Sequence, residues 1–391
     1  MNVPAYDFLA PRKIVFGWGK RAELGRLAAS LGRRAWIVCG SRTLELNGTL
    51  DQLRRYLTDA GVAAEPLLTI SREPEVPDVD HAVAGLRGHV GAGDVVIAIG
   101  GGAAIDLAKA VAAIASQPEP GSVMEYLEGV GTGRTISAPP LSVIAVPTTA
   151  GTGSEATKNA VISSFDPPFK KSLRDDRMMP QVALVDPELT VSAPEQVTAY
   201  SGLDAITQLI ESYLSARAKP IPQSLCLAGL QGAVDALRRA YHDGQDRSAR
   251  EIMVQAALFS GLALANSGLG LAHGVAAALG VVAKVPHGLA CAVMLPAAMR
   301  VNRDTSPERW ITLAEVLCAR RFDNAAAASA AAIETIESLA AELAIPRRLR
   351  DLGVTESQLP ALVTGSRGNS MSGNPRQLSD GELAALLAEM V

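Results

Sequence analysis

Through the first half of this 391-residue chain, short apolar β-rich runs alternate with helical stretches, and the alternation stops near residue 190. Candidate strands cover 13–16, 35–39, 66–70, 95–99, 143–146 and 182–185, with helical patterns such as 21–31, 50–60 and 79–90 between them. Apolar strands separated by helices are the mark of βαβ units and of a parallel sheet covered on both faces. From Pro194 onward the chain is rich in Ala and Leu with helical periodicity, and 251–266, 325–343 and 380–390 read as helices. The pattern predicts an α/β plus all-α protein. A Rossmann-like parallel-sheet domain would span 1–190, and a helical domain 191–391.

Composition narrows the class. The 36 Lys+Arg and 40 Asp+Glu leave a net charge of −4, without the basic bias expected of a nucleic-acid binder. The start MNVPAYDFLAPRK lacks the basic-then-apolar order of a signal peptide. The stretch between Glu251 and Lys284 carries no Asp, Glu, Lys or Arg, but Gln255, Asn266, His273 and several glycines interrupt it. It is read as two buried helices joined by a glycine turn, not as a membrane span. Cys39, Cys226, Cys291 and Cys318 are scattered without a CxxC, as free thiols in a reducing compartment would be. The expectation is a cytoplasmic protein with no nucleic-acid or membrane partner.

Three glycine loops follow strands. Gly17-Trp18-Gly19-Lys20-Arg21-Ala22 fits G-x-G-x-x-A, yet the acidic residue expected about 20 positions on is replaced by Cys39 and Gly40. This loop reads as a strand-to-helix turn. DVVIAIGGGAAIDLAK (94–109) runs an apolar strand into Gly100, Gly101 and Gly102 and then a helix bearing Asp106 and Lys109. Backbone N–H groups and a helix N-terminus there suit a phosphate. VPTTAGTGSE (146–155) ends another apolar strand with hydroxyls on Thr148, Thr149, Thr152 and Ser154, which suit a ribose and nicotinamide. Two such loops predict a dinucleotide lying across the C-terminal edge of a parallel sheet.

PRKIVFGWG (11–19), AIGGGAAIDLAKA (98–110), VPTTAGTGSEAT (146–157), PQVALVDPELT (180–190), GLDAITQLIESY (202–213), GLGLAHGVAAALG (268–280), VPHGLA (285–290) and NPR (374–376) occur in this order. Together they resemble the iron-containing, group III alcohol dehydrogenase family over nearly the whole chain. The resemblance implies a dehydroquinate synthase-like fold and a homo-oligomer, a homodimer in many relatives. It implies a divalent metal, Fe or Zn, held by one Asp and three His, and hydride transfer between a nicotinamide and a small alcohol or aldehyde. Asp204, His273 and His287 fall on three ligand positions, the two histidines being catalytic in this sense. Gln208 stands where the family usually has the remaining histidine, and its amide oxygen is expected to be a weaker ligand. Lys170, with its neighbour Lys171 as the alternative, matches a basic position near the cofactor.

Two further departures matter. Ala277 stands where some members carry a proton-relaying histidine, which leaves the relay unassigned, a path through the cofactor ribose and water being one alternative. His81, His89 and His242 read as bystanders. In IVCGSRT, Gly40, Ser41 and Arg42 stand at the end of the second strand, where NAD-preferring members often carry Asp. A hydroxyl and a cation suit a 2′-phosphate, so NADP is favoured over NAD. Two other readings are a metal-free reductase resembling maleylacetate reductases and a non-catalytic nucleotide-binding protein with a degraded metal site.

Overall fold

A computed structural model of the chain describes residues 5–391 apart from residues 92 and 120, so the first residues of the MNVPAYDFLAPRK start lie outside it. The chain divides into two compact units. One takes in Leu9–Thr149 and Gly153–Thr190, and the other is built mainly from Val191–Val391 together with Ala150–Thr152.

In the first unit, β1 (Lys13–Phe16), β2 (Arg34–Cys39), β3 (Ala63–Thr69), β4 (Asp94–Gly100), β5 (Ser142–Pro147) and β8 (Val182–Val185) form one sheet in the order β1-β8-β5-β4-β2-β3. Every neighbouring pair is parallel. All seven residues of β4 and all four of β8 are buried, because helices cover both sheet faces and leave no place for an alternating polar side. From β2 the chain moves outward to β3, then returns to β4 on the other side of β2 and proceeds the opposite way. The strand order therefore reverses between β2 and β4, and the loops leaving those two strands flank the switch point where open α/β sheets bind ligands.

The hairpin of β6 (Asn159–Phe165) and β7 (Pro168–Arg174) lies outside the expected strands. Its residues alternate, with Ala160 and Ile162 buried against the same core as Phe169 and Leu173, while Ser163 and Ser164 interrupt the run. A hairpin covered on one face lacks the continuous apolar signal of the parallel strands. The expected helix at 21–31 is a 3-10 turn, Lys20–Glu23, followed by Leu24–Ala29. The third strand begins three residues before the expected start.

Asp186, fully buried just past β8, explains the first glycine loop. Its carboxylate accepts from the backbone N–H groups of Gly19 (2.9 Å) and Arg21 (3.0 Å) and from the Arg21 guanidinium (3.0 Å). These are donors that a phosphate-binding turn would offer to its ligand, and here a side chain occupies them. The loop is a structural turn, as its missing acidic partner suggested.

The second unit is helical. Asp246 and Asn324 cap Arg247–Asn266 and Ala325–Glu342 by accepting from Ala249 and Ala327, and Ser379 with Glu382 forms a capping box on Asp380–Ala388. The uncharged stretch forms two helices, Arg247–Asn266 and Leu271–Val282, bent by 97° at the glycine turn. Among the described residues no single helix is long and apolar enough to cross a membrane. All four cysteines are free, with Cys318 half-buried and the others buried. His81 is exposed on the helix Val76–Leu86, whereas His89 is exposed beyond its end and His242 is exposed at the last position of Ala233–His242.

Asp186→Ala leaves the half-buried N–H groups of Gly19 and Arg21 without their acceptor, while the Arg21 guanidinium keeps its bonds to Glu188 and Gln52. Urea unfolding should show a loss of about 1–3 kcal/mol, the cost of orphaned polar groups. An unchanged midpoint would refute the structural role of this turn.

Candidate functional site

The helix Glu195–Leu214 carries Asp204, Gln208 and Glu211 at i, i+4 and i+7, which sets all three on one face. All three are buried, at 2%, 3% and 5% exposure. Beside them the helix Leu271–Val282 begins, with His273 in its first turn. The first turn of a helix leaves N–H groups without intrahelical partners. Here Asn374 accepts from Leu271 N–H (3.1 Å), while Glu211 accepts from Ala272 (2.6 Å) and His273 (3.3 Å). Glu211 also accepts from His273 Nδ1–H at 2.7 Å, which turns Nε2 toward Asp204 Oδ1, 3.2 Å away.

His287 opens the next helix, His287–Asn302, directly after Pro286, and Cys291 lies one turn further along. His287 Nε2 is 3.9 Å from Asp204 Oδ1 and 3.7 Å from Cys291 Sγ. Ligand atoms of Asp204, His273, His287 and Cys291 all lie within 4.8 Å of one another. Of these side chains only that of His287 is appreciably exposed, at 27% against 2% for Asp204 and 3% for His273. A carboxylate, two imidazoles and a sulfur converging at a buried point fit the chemistry of a divalent metal site.

The electrostatics agree. Burial raises the carboxyl pKa of Asp204, yet His273 and His287 outweigh it and hold the group below its ordinary range. Burial disfavours a charged His273, but the carboxylates of Asp204 and Glu211 against its two ring nitrogens shift its pKa upward. Burial pushes the Cys291 thiol up to about 12. Two carboxylates against two imidazoles make this a pocket that suits a cation.

Gln208 is held at both ends of its amide. Its Oε1 accepts from Ser260 Oγ at 2.7 Å, and its Nε2 donates to the Thr152 carbonyl at 3.2 Å. The carbonyl expected to serve as a weak ligand thus already faces a donor, and Thr152 contributes its main chain there. Cys291, expected only as a free thiol, and Glu211 are the members of this constellation that the sequence did not assign to the site. Their signals were available, since Cys291 follows His287 by four residues and Glu211 follows Asp204 by seven.

In the sheet unit, Gly40 and Gly100 end β2 and β4 with their backbones in contact. A Cβ on Gly40 would stand 2.7 Å from Gly100 Cα, and Gly100 itself has φ +158°. Gly40 thus has a packing reason of its own, besides removing a carboxylate. Ser41 precedes the short helix Arg42–Leu46, and Arg42 is exposed at its first position. Gly101 caps the helix Gly102–Ala115 and lies against Thr149, while Thr148 N–H donates to the Gly100 carbonyl at 3.0 Å. The two loops expected to hold a cofactor are therefore adjacent at the C-terminal edge of the sheet.

Two expected cofactor residues have protein partners. Asp106 accepts from Val161 N–H (2.9 Å) and pairs with Lys109 (3.1 Å), tying the helix to β6. Lys170 pairs with Glu73 at 2.6 Å from its place on β7. The buried Lys109 ammonium also donates to the Ser154 carbonyl (3.0 Å) and Thr157 Oγ1 (2.9 Å), bracing the hydroxyl-rich loop. Next to Ser154, burial raises the Glu155 carboxyl from 4.5 to about 7.

The match to known proteins follows the two units. Residues 11–187 match the family model "Iron-containing alcohol dehydrogenase", and residues 198–391 match "Fe-containing alcohol dehydrogenase family, C-terminal". The chain belongs to the iron-containing alcohol dehydrogenase family. It is an NAD(P)-dependent alcohol dehydrogenase by that membership. Among its relatives is "Probable alcohol dehydrogenase EutG" of Escherichia coli, 34% identical over 97% of this chain and 93% of that one. Another is "1,3-propanediol dehydrogenase" of Klebsiella pneumoniae, 31% identical over 100% of both chains. A solved 1,3-propanediol oxidoreductase superposes with a TM-score of 0.92 at 29% identity, covering 99% of this chain and 100% of that one.

Glu211→Gln should weaken divalent-metal binding roughly 10–100-fold, as loss of a carboxylate behind a ligating histidine does. Calorimetric titration of metal-stripped protein measures it, and unchanged affinity would remove Glu211 from the site. Glu155→Gln tests the buried carboxyl. With a folded pKa of about 7 against 4.5, the native chain keeps a proton that the unfolded chain has lost. Native stability should therefore fall between those pH values, by up to about 3 kcal/mol, and stay level above them. Urea unfolding across pH should show this slope in the parent and not in Glu155→Gln.

Proposed function

We propose that this dehydrogenase is divalent-metal-dependent, prefers NADP(H) and interconverts a small alcohol and its aldehyde. The observation that carries the reading is the convergence of Asp204, His273 and His287 at one buried point, backed by Glu211. A divalent ion bound there would supply Lewis-acid stabilisation of the alkoxide, an effect worth several kcal/mol. Asp204 and the two imidazoles would hold it, and Glu211 keeps the Nε2 of His273 directed at the site. Burial excludes water from all but the His287 side, which strengthens every charge interaction within. The helix Leu271–Val282 adds an apolar wall and has Ala277 where a proton-carrying side chain would otherwise stand.

For the cofactor, the Gly100–Gly102 turn and the N-terminus of Gly102–Ala115 suit the diphosphate, and Thr148 with Thr149 suits the ribose. Ser41 and the exposed Arg42 lie at the switch-point end of β2, where the adenosine ribose of a dinucleotide would reach. A guanidinium there favours a 2′-phosphate. The relatives include both an "NADPH-dependent butanol dehydrogenase" and an "NAD-dependent methanol dehydrogenase", so the choice belongs to residues such as these.

His273→Ala should lower turnover by at least roughly a hundredfold to a thousandfold, matching the loss of several kcal/mol, with circular dichroism unchanged. Retained turnover would reject the metal-centred reading, and recovery of chelated enzyme with metal supports it. Arg42→Ala should raise KM for NADP about 10–100-fold, with little change for NAD, as loss of a charge-assisted hydrogen bond requires. A parent enzyme with equal efficiency toward both cofactors, or a preference for NAD, would reject the NADP assignment.

A further inference from the structure

Cys291 is the fourth member of the buried cluster and has no part in the function derived so far. It is fully buried on the same helical face as His287, and its sulfur points into the space shared by Asp204 Oδ1 and the two imidazoles. Three of the separations lie within a few tenths of an ångström of those in a coordination shell, and all lie within 4.8 Å. A tetrahedral zinc site, with bonds of about 2.0–2.3 Å, has edges of roughly 3.3–3.7 Å between ligand atoms. Here His273 to Asp204 is 3.2 Å, Cys291 to His287 is 3.7 Å and His287 to Asp204 is 3.9 Å. Gln208, the residue at the histidine position, has its carbonyl on Ser260 and its amide nitrogen on the Thr152 carbonyl.

We propose that Cys291 replaces the missing histidine as the fourth protein ligand, so that the site is Asp204, His273, His287 and Cys291 and takes zinc in preference to iron. This rests on the reading above that the first three hold a divalent metal. On binding, the thiol S–H breaks, its proton passes to solvent and the sulfur lone pair forms the metal bond, with no change of oxidation state. A thiolate is a soft donor, and a site of one sulfur, two nitrogens and one carboxylate oxygen suits zinc. Replacing imidazole by thiolate shifts the preference further from iron, which already binds more weakly than zinc in the divalent series. Gln208 is then a positioning residue, packed against Ser260 and Thr152.

The test uses the full chain stripped of metal and titrated with cobalt(II), a spectroscopic stand-in for zinc. Parent protein should show a near-ultraviolet sulfur-to-cobalt charge-transfer band together with visible d–d absorption. Cys291→Ser should lose that band and bind zinc roughly 10–100-fold more weakly, while Gln208→Ala keeps the band. A chain in which Cys39, Cys226 and Cys318 are replaced by serine leaves Cys291 untouched. Its retained band answers the question even if Cys291→Ser does not fold. Cobalt bound without the band, or a band that survives in Cys291→Ser, overturns the thiolate ligand and leaves the metal-dependent function standing. Parent protein that takes up no cobalt or zinc overturns the metal reading itself, and this inference with it.

Discussion

The site depends on one carboxylate. Glu211 accepts from the first turn of the helix Leu271–Val282 and from the ring of His273 on that same turn. One buried side chain thereby holds both the first turn of that helix and the direction the imidazole faces. Asn374 completes the arrangement by accepting from Leu271 and exchanging amide hydrogen bonds with Asn302 at 2.9 and 3.0 Å. The NPR segment near the chain end thus acts as a clamp on the helix that carries the first histidine. Gly270 leaves no alternative, since a Cβ there would stand 2.8 Å from the Glu211 carboxylate.

The sheet unit rests on a comparable constraint at its switch point. Two glycines in backbone contact bring the ends of β2 and β4 together, and the loops leaving those strands carry the groups that suit a dinucleotide. Around them, charged side chains that resemble ligand-binding groups are engaged within the protein. Asp186 fills the first glycine turn, Asp106 and Lys109 brace the hydroxyl-rich loop, and Lys170 pairs with Glu73. Buried charges persist only where such partners exist, which is why each has one.

Much of this was legible in the residues. The parallel strands announced themselves because a strand buried on both faces must be apolar throughout, and their bounds fell within a few residues of the structure. The hairpin at 159–174 was not legible, because a ribbon covered on one face mixes Ser and Asn with its apolar positions. The motif order showed the family, and with it Asp204, His273 and His287. It did not show that Gln208 would be bound at both ends of its amide, nor that Cys291 would complete the cluster. The i, i+4 and i+7 spacings were visible, but spacing shows which residues share a helix face and not what that face meets.

The sequence by itself determined the fold class, the two-part organisation and the glycine turns, and its resemblance to the family pointed to three side chains that converge. The first three follow from local periodicity, apolar runs and short motifs, and the last from the order of the family's motifs along the chain. Only the tertiary structure decided which donors and acceptors are already partnered, and by what. Hydrogen bonds and short approaches between residues far apart in the chain, such as Asp186 to Gly19 or Glu211 to His273, arise from the packing of whole elements, and no local pattern encodes their distances.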